Sequence, residues 1–472
     1  MSIKFGTDGW RDVIAENYTF ENVHFVARGA AQYFAKHPKA KAGVVIGYDA
    51  RFLSREFAEL TARVFAHEGI KTYIASTIVA TPATSLAIVK KKLAGGVMIT
   101  ASHNPAKYNG FKLKGDYGGA ALPEIIAIVE KTTNSPKNQS AAKSDFAAKA
   151  IPSFAELVKK KRIIELDVKS MYIDELRKLV NLPRIKRSGI AIAYDPMYGS
   201  GVGTMEHLVT NAGILHNIWN PGFGGTPPEP LPQNIEDFAR FVVEGGFDIG
   251  LVTDGDADRI GAVDEHGNFF SSQMILCLLL KYLVEVRKKT GEVVVSQSVT
   301  SMIDKMASKY GLPLRRTPVG FKYITEYMLQ GNVLIGGEES GGIGIPSLHI
   351  PERDGLFNGL LLCEISAHYK RTLGELVRDL EREFGQHKYE RFDFHTTDVR
   401  KEKVLAKAQK GFTSIAGLRV LDTITQDGFK YELEDGAWLM IRTSGTEPLL
   451  RYYAEAPTMQ IVTQLLDFAK KL

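Results

Sequence analysis

The chain has 472 residues, 44% of them hydrophobic and 24% charged, with 59 basic against 54 acidic side chains and a net charge of +5. This length exceeds one ordinary core and implies roughly three or four domains, and the composition is globular, which excludes a disordered or fibrous chain. The charge excess is small and forms no concentrated basic face, which argues against nucleic acid as a partner and suits small anionic molecules.

The start, MSIKFGTDGW, lacks an apolar signal core, and the longest apolar run, MILCLLL at 274–280, is far too short to span a bilayer. Cys277 and Cys363 lie far apart, each inside an apolar helix-like run, and read as buried free thiols. The expectation is a cytoplasmic chain with no membrane or nucleic-acid partner.

In chain order, AGVVIGYDAR (42–51) reads as a strand and turn, followed by a helix to about His67, and GIKTYIAS (69–76) is the next strand. The apolar run Val97-Met98-Ile99 ends abruptly in Ser102-His103-Asn104-Pro105. Residues 132–152, TTNSPKNQSAAKSDFAAKAIP, form a polar bridge. GIAIAYDPMYGSG (189–201) repeats the strand-then-Asp turn, with TMEHLVTNAG as its helix. FDIGLVTDGDADR (247–259), EVVVSQSVT (292–300) and NVLIGGEESGG (332–342) are further strands ending in polar, glycine-containing loops. The alternation predicts an α/β fold of three successive mixed-sheet domains around a central cleft, at 1–150, 151–253 and 254–384. From about 385 the hairpin signals Asp427-Gly428 and Asp435-Gly436 predict a smaller C-terminal α+β domain, 385–472, with an antiparallel sheet. In such α/β units ligands collect beyond the carboxyl ends of strands, so the strand-end loops are where chemistry is expected.

Ser102 and His103 suggest a nucleophile beside its base, yet neighbours in an extended chain project differently, so His103 is badly placed to take a proton from Ser102. TDGDADR crowds Asp254, Asp256 and Asp258 into five residues, and a hard, oxygen-preferring cation such as Mg²⁺ relieves their repulsion. An EF-hand is the rival, with Asp at positions 1, 3 and 5 and Glu265 at position 12, but Arg259 replaces the turn glycine and β-like sequence flanks the loop. In RTSGTEP (442–448), Arg442, the hydroxyls of Ser444 and Thr446, and the open backbone at Gly445 form a phosphate cradle that Arg451 would assist. GGEESGG (336–342) places Glu338, Glu339 and Ser340 on a glycine-framed loop suited to sugar hydroxyls, and TPVGFK (317–322), containing Gly320, is a weaker candidate. FGTDGWR (5–11) is a glycine-rich turn ending in Arg11, and YNGFK (108–112) brings Lys112 back towards Ser102 as general acid/base or phosphate counter-charge.

Together these motifs resemble the α-D-phosphohexomutase family of phosphoglucomutases and phosphomannomutases, in the family's order from FGTDGWR to RYYAEA. TASHNP is similar to its phosphoserine loop, DGDADR to its metal loop, GEESGG to its sugar loop and RTSGTEP to its phosphate loop. The resemblance implies that Ser102 carries a phosphoryl group, one of whose oxygens joins the three aspartates on Mg²⁺, while His103 and Asn104 shape the loop. It implies that Arg11, Lys112 and Arg259 surround the charge in flight, and that Gly320, Glu338, Ser340, His349 and Arg353 meet the sugar. The cradle would hold the distal phosphate, and hexose 1,6-bisphosphate would serve as intermediate and activator. Phosphoryl transfer of this kind rests on positioning and charge neutralisation. Gly342 stands where many mannose- or glucosamine-type members carry histidine, and with Glu338-Glu339 and HIPERDG (349–355) this favours glucose 1-phosphate and glucose 6-phosphate. A phosphomannomutase, a dual-specificity enzyme and a phosphoglucosamine mutase remain alternatives within the family, and a metal-dependent phosphatase or a sugar-phosphate sensor outside it. The expected state is a monomer or homodimer.

Overall fold

The structure, a computed structural model, describes residues 2–6, 9–443 and 449–472. Four sheets follow one another along the chain. The first contains β1 (Trp10–Val13), β2 (Val44–Tyr48), β3 (Thr72–Ala75), β4 (Gly95–Ile99), β5 (Tyr108–Lys114) and β6 (Ile163–Leu166), in the order β1-β5-β4-β2-β3-β6. β2 runs parallel to β3 and β4, while β5 is antiparallel to β4 and β1. Every residue of β2 and β4 is buried, as expected of strands covered by crossover helices on both faces.

The second sheet joins β7 (Ile192–Asp195), β8 (Gly213–Ile214), β9 (Ile249–Thr253), β10 (Ile260–Asp264) and β11 (Phe269–Phe270) in the order β11-β10-β9-β7-β8. The third joins β12 (Glu292–Ser296), β13 (Leu314–Thr317), β14 (Val333–Gly337) and β15 (Ile343–Gly344) as β13-β12-β14-β15. The fourth is antiparallel throughout: β16 (Lys388–His395), β17 (Ser414–Ile415), β18 (Leu418–Ile424), β19 (Phe429–Leu433), β20 (Trp438–Thr443) and β21 (Leu449–Ala456), ordered β16-β21-β20-β19-β18-β17.

Four local features depart from the sequence expectation. β6 pairs with β3, so the first sheet takes a strand from beyond residue 150, and β9 pairs with β10 across the acidic turn, so the second sheet continues past residue 253. The polar bridge contains a helix, Pro136–Ala147, because Ser135 accepts from the Asn138 N–H as N-cap and Pro136 opens the first turn. It is docked by the buried Asn138 and Ala142 and by an Arg28–Asp145 ion pair. TMEHLVTNAG forms only a 3₁₀ turn at Met205–His207. Glycines precede it, and its β-branched Val209-Thr210 and Asn211 are weak helix formers.

One apolar core runs continuously through the first three sheets and ends at Phe384, whereas the last sheet packs its own cluster around Val404, Tyr431, Tyr452 and Leu465. That domain touches the third mainly through polar contacts: Lys430 Nζ donates to the Gln297 carbonyl at 3.0 Å, and the Val319 N–H donates to Asp427 Oδ2 at 2.9 Å. Both cysteines are buried in helices, Ser272–Glu285 and Gly355–Tyr369. Among the described residues no helix is long and apolar enough to cross a membrane.

Candidate active site

The loops at the carboxyl ends of β4, β9 and β14 meet at one cleft of about 440 Å³, which arginines of the last sheet also line. Ser102 follows β4 in a left-handed conformation (φ +53°), and only 1% of it is exposed. Its N–H donates to Thr100 Oγ1 at 2.9 Å, and its Oγ donates to Asp254 Oδ2, also at 2.9 Å. Antiparallel pairing of β4 with β5 sets Lys112 opposite Met98, and pairing of β5 with β1 sets Arg11 opposite Gly110, so Arg11 reaches the serine loop and Lys112 the aspartate turn from neighbouring strands. Arg11 Nη1 donates to Asn104 Oδ1 at 2.8 Å.

The tri-aspartate turn connects β9 to β10 and is fully buried. Its curl is closed by the N–H groups of Asp258 and Arg259, which donate to Asp254 Oδ1 at 3.0 and 3.1 Å. Gly255 is required here, because a Cβ would meet the Ser102 carbonyl oxygen at 2.4 Å. Lys112 Nζ lies 2.8 Å from Asp256 Oδ2 and 3.4 Å from Asp258 Oδ2, and Thr81 Oγ1 donates to Asp256 at 2.6 Å. Burial and then the charges of Asp256 and Asp258 push the Asp254 carboxyl well above the usual range. Burial pushes Asp256 up as well, but Lys112 and the hydrogen bonds from Lys112 and Thr81 outweigh it and hold this carboxyl low.

Carboxylate oxygens of the three aspartates lie within 4.8 Å of one another, and Oδ1 of both Asp256 and Asp258 is buried without a hydrogen-bond partner. An all-oxygen, all-anionic donor set with unspent lone pairs fits a hard divalent cation such as Mg²⁺.

Above this buried floor, Arg11, His103 and Arg259 line the cleft, joined by Gly320, Glu338, Ser340 and Arg353 from the third domain. Burial, and after it Arg259 and Arg11, hold the His103 ring well below its ordinary pKa and therefore neutral. Arg353 bridges two loops, with Nη2 2.7 Å from Asp258 Oδ2 and Nη1 3.7 Å from Glu338 Oε2. His349, expected to contact the sugar, is not among the described residues that line the cleft. Its side chain is buried against Phe357, with Nε2 3.2 Å from Oδ2 of Asp354, the N-cap of helix Gly355–Tyr369.

On the far wall, Arg442 of β20 and Arg451 of β21 are cross-strand partners, and both line the cleft. Arg442 Nε is 3.2 Å from Asp427 Oδ2, and Arg451 Nε is 3.7 Å from Asp393 Oδ2. Ser444, Gly445 and Thr446, expected in the phosphate cradle, lie outside the described residues.

Sequence reasoning missed several cleft residues, Arg391 and Glu229 among them. Arg391 of β16 lines the same wall and makes two 2.9 Å hydrogen bonds to Asp393. Glu229 accepts from Arg259 Nη1 at 3.2 Å. The alternation of Arg391 and Asp393 on one strand face was the available signal for the first, and Glu229 in a Pro-rich segment offered none.

Profiles of the phosphoglucomutase/phosphomannomutase domains match residues 2–140 (alpha/beta/alpha domain I), 170–267 (domain II), 271–384 (domain III) and 396–472 (C-terminal domain). A phosphoglucomutase of Komagataeibacter xylinus is 31% identical over 96% of this chain and 87% of its own length. A phosphoglucomutase/phosphomannomutase of Thermococcus kodakarensis is 30% identical over 100% of this chain and 98% of its own. A crystal structure from Thermus thermophilus, assigned as a phosphomannomutase, superimposes with a TM-score of 0.84 at 32% identity, covering 100% of this chain and 99% of that one. With all four domains matched in order, the chain belongs to the phosphoglucomutase/phosphomannomutase family of α-D-phosphohexomutases and is an intramolecular phosphotransferase.

Proposed function

We propose that this enzyme interconverts hexose 1-phosphate and hexose 6-phosphate, with glucose as its principal sugar, through a phosphorylated Ser102 and a hexose 1,6-bisphosphate. The observation that carries the reading is that one cleft adjoins both the buried serine–aspartate cluster and three arginines of the last sheet. Ser102 Oγ faces Asp254 of the triad beside the cleft-lining His103 and Asn104, and Arg391, Arg442 and Arg451 line the same cleft.

In the forward half-reaction the Oγ–phosphorus bond of Ser102 breaks as a sugar hydroxyl oxygen bonds to phosphorus. The hydroxyl's proton ends on Ser102 Oγ, where Asp254 accepts the hydrogen bond found here. Asp254, Asp256 and Asp258 would hold Mg²⁺, which when bound supplies charge stabilisation to the transferring group. Lys112 adds positive charge at the floor, and Arg11 fixes the loop through Asn104. The arginines of the last sheet would hold the non-reacting phosphate, so that binding away from the reacting centre sets the orientation. The bisphosphate then turns over and returns its other phosphate to Ser102.

Support for glucose comes from Gly342, which stands where many mannose- or glucosamine-type members carry histidine and whose lack of a side chain leaves room for Arg353 between Asp258 and Glu338. The test is a panel of glucose, mannose and glucosamine 1-phosphates with Mg²⁺ and bisphosphate activator, reading isomerisation against inorganic phosphate release. Preferred turnover of the glucose phosphates supports the reading, and turnover of mannose or glucosamine phosphates in preference to glucose reassigns the sugar. Phosphate release without isomerisation overturns the mutase chemistry. Intact mass should show one phosphate on the wild type that is absent from Ser102→Ala.

A further inference from the structure

Arg51 is a fully buried arginine in the turn after β2, far in sequence from the motifs of the cleft. Its guanidinium serves the serine loop almost exclusively. Nη2 donates to the carbonyls of Ser102 and Asn104, each at 2.6 Å, and Nη1 donates to those of Pro105 at 3.0 Å and Tyr108 at 3.1 Å. Four carbonyls of a seven-residue arc, 102–108, thus converge on one side chain. Asp49 holds the guanidinium in turn, its Oδ2 3.2 Å from Nε while its Oδ1 accepts from the Arg51 N–H and from Ser54 Oγ. The ring of Phe223, from the second domain, covers the guanidinium at 4.9 Å, and Trp219 of the same segment donates to the Ala50 carbonyl at 3.0 Å.

The Ser102 carbonyl is the point where this cage meets the reaction. One side of it accepts from Arg51, and the other is the surface on which Gly255 packs too closely to tolerate a Cβ. The serine is also in a left-handed conformation that a non-glycine residue adopts only when its surroundings enforce it. Moving that carbonyl alters the alignment of Ser102 Oγ with the aspartate turn.

We propose that Arg51 is a positioning residue for phosphoryl transfer: its planar fork gathers the carbonyls of residues 102–108 and presses the curled Ser102 loop into register with the aspartate turn. The proposal rests on the reading of Ser102 as the phosphoryl carrier. A lysine cannot replace the fork, because its compact ammonium does not span four carbonyls in one plane.

The test uses the full-length enzyme with two variants. Arg51→Lys keeps the charge beside Asp49 and loses the fork, and Asp49→Asn/Arg51→Gln removes both charges, so that no buried charge is stranded. Each is followed by melting temperature, by kcat and KM for glucose 1-phosphate, and by intact mass after incubation with glucose 1,6-bisphosphate. The expected result is a folded protein with kcat lowered about 100-fold, KM within about threefold of wild type, and slow phosphorylation of Ser102. A folded variant with kcat within about threefold of wild type overturns the proposal. So does failure of both variants to fold, which assigns the side chain to the domain as a whole and not to the loop. Wild-type enzyme that turns over without phosphate ever appearing on Ser102 refutes the carrier reading instead, so the two failures are distinguishable.

Discussion

Arg353 fills the space that a side chain at Gly342 would need: a Cβ there would meet Arg353 Cδ at 2.4 Å. The same guanidinium lies against Asp258 and near Glu338, so the sugar loop and the aspartate turn share one cation. Gly342→His should therefore push Arg353 out of this bridge and lower kcat/KM for glucose 1-phosphate by at least tenfold, about 1.4 kcal/mol of transition-state stabilisation. Rates on mannose and glucosamine phosphates should fall less. Equal losses on all three sugars would count against Gly342 as a determinant of sugar choice.

The aspartate turn makes a prediction about stability as well as rate. Asp254 is destabilised by burial and by its two acidic neighbours, so a bound divalent cation should raise the melting temperature. At Mg²⁺ one hundred times its Kd the gain would be about 2.7 kcal/mol. Asp254→Asn removes one repelling charge; its Oδ1 can still accept from the Asp258 and Arg259 N–H groups, and its Nδ2 can donate to Ser102 Oγ. It should match or exceed the wild type in stability in chelator, lose most of the Mg²⁺-induced shift, and turn over orders of magnitude more slowly. Differential scanning fluorimetry with and without chelator, beside an activity assay, measures all three.

Much of the site was legible because its chemistry is written contiguously. TDGDADR puts three carboxylates on one turn, and TASHNP and YNGFK are the two ends of one β4–β5 connection, so Ser102, Lys112 and the aspartates could be named from local pattern. Arg51 and Glu229 were not legible, because each acquires its partners from another element: carbonyls after β4 and Arg259 of the aspartate turn. Arg391 was legible only as an i, i+2 pair with Asp393 on its own strand, which gives no sign of the cleft it lines. The same limit applies to His349, whose motif gives no sign that its ring packs on Phe357 beside Asp354, the cap of the following helix. The β-α alternation located most elements, and it failed at 204–213, where weak helix formers follow a glycine-rich turn.

Lys430 should make the seating of the last domain depend on pH. It lies on β19 against the Gln297 carbonyl and 4.4 Å from the Trp438 ring centre, with Arg316, Asp304, Glu432 and Glu455 as its charged surroundings. Burial first, and Arg316 after it, lower its pKa from 10.5 to about 7. The undocked or unfolded form binds the proton more readily, so stability should rise with pH from about 7 up to the lysine's ordinary 10.5 and flatten below about 7. Lys430→Met should be more stable at neutral pH and lose this slope. Thermal melts from mildly acidic to alkaline pH decide it, and an unchanged slope in the variant would assign the effect to other groups.

Arg391 joins the phosphate wall in a way that Arg442 and Arg451 alone do not complete. Asp393 stands between two of these arginines, bonded to Arg391 through both oxygens and lying 3.7 Å from Arg451 Nε. Asp393 and then Glu229, across the cleft, favour the charged form of Arg391 in spite of its burial, so its cation is fixed in place before any ligand arrives. A phosphate entering here would meet preset donors, each charge-assisted contact contributing roughly 1.5–3 kcal/mol. Arg391→Ala should therefore raise KM for hexose monophosphates about ten- to hundredfold. It should also release bisphosphate into solution between the two transfers, because the sugar is held less firmly as it turns over. Arg442→Ala should behave in the same direction. Substrate kinetics together with assay of free glucose 1,6-bisphosphate test both variants, and an Arg391→Ala enzyme with wild-type KM and no leakage would leave the phosphate wall to Arg442 and Arg451.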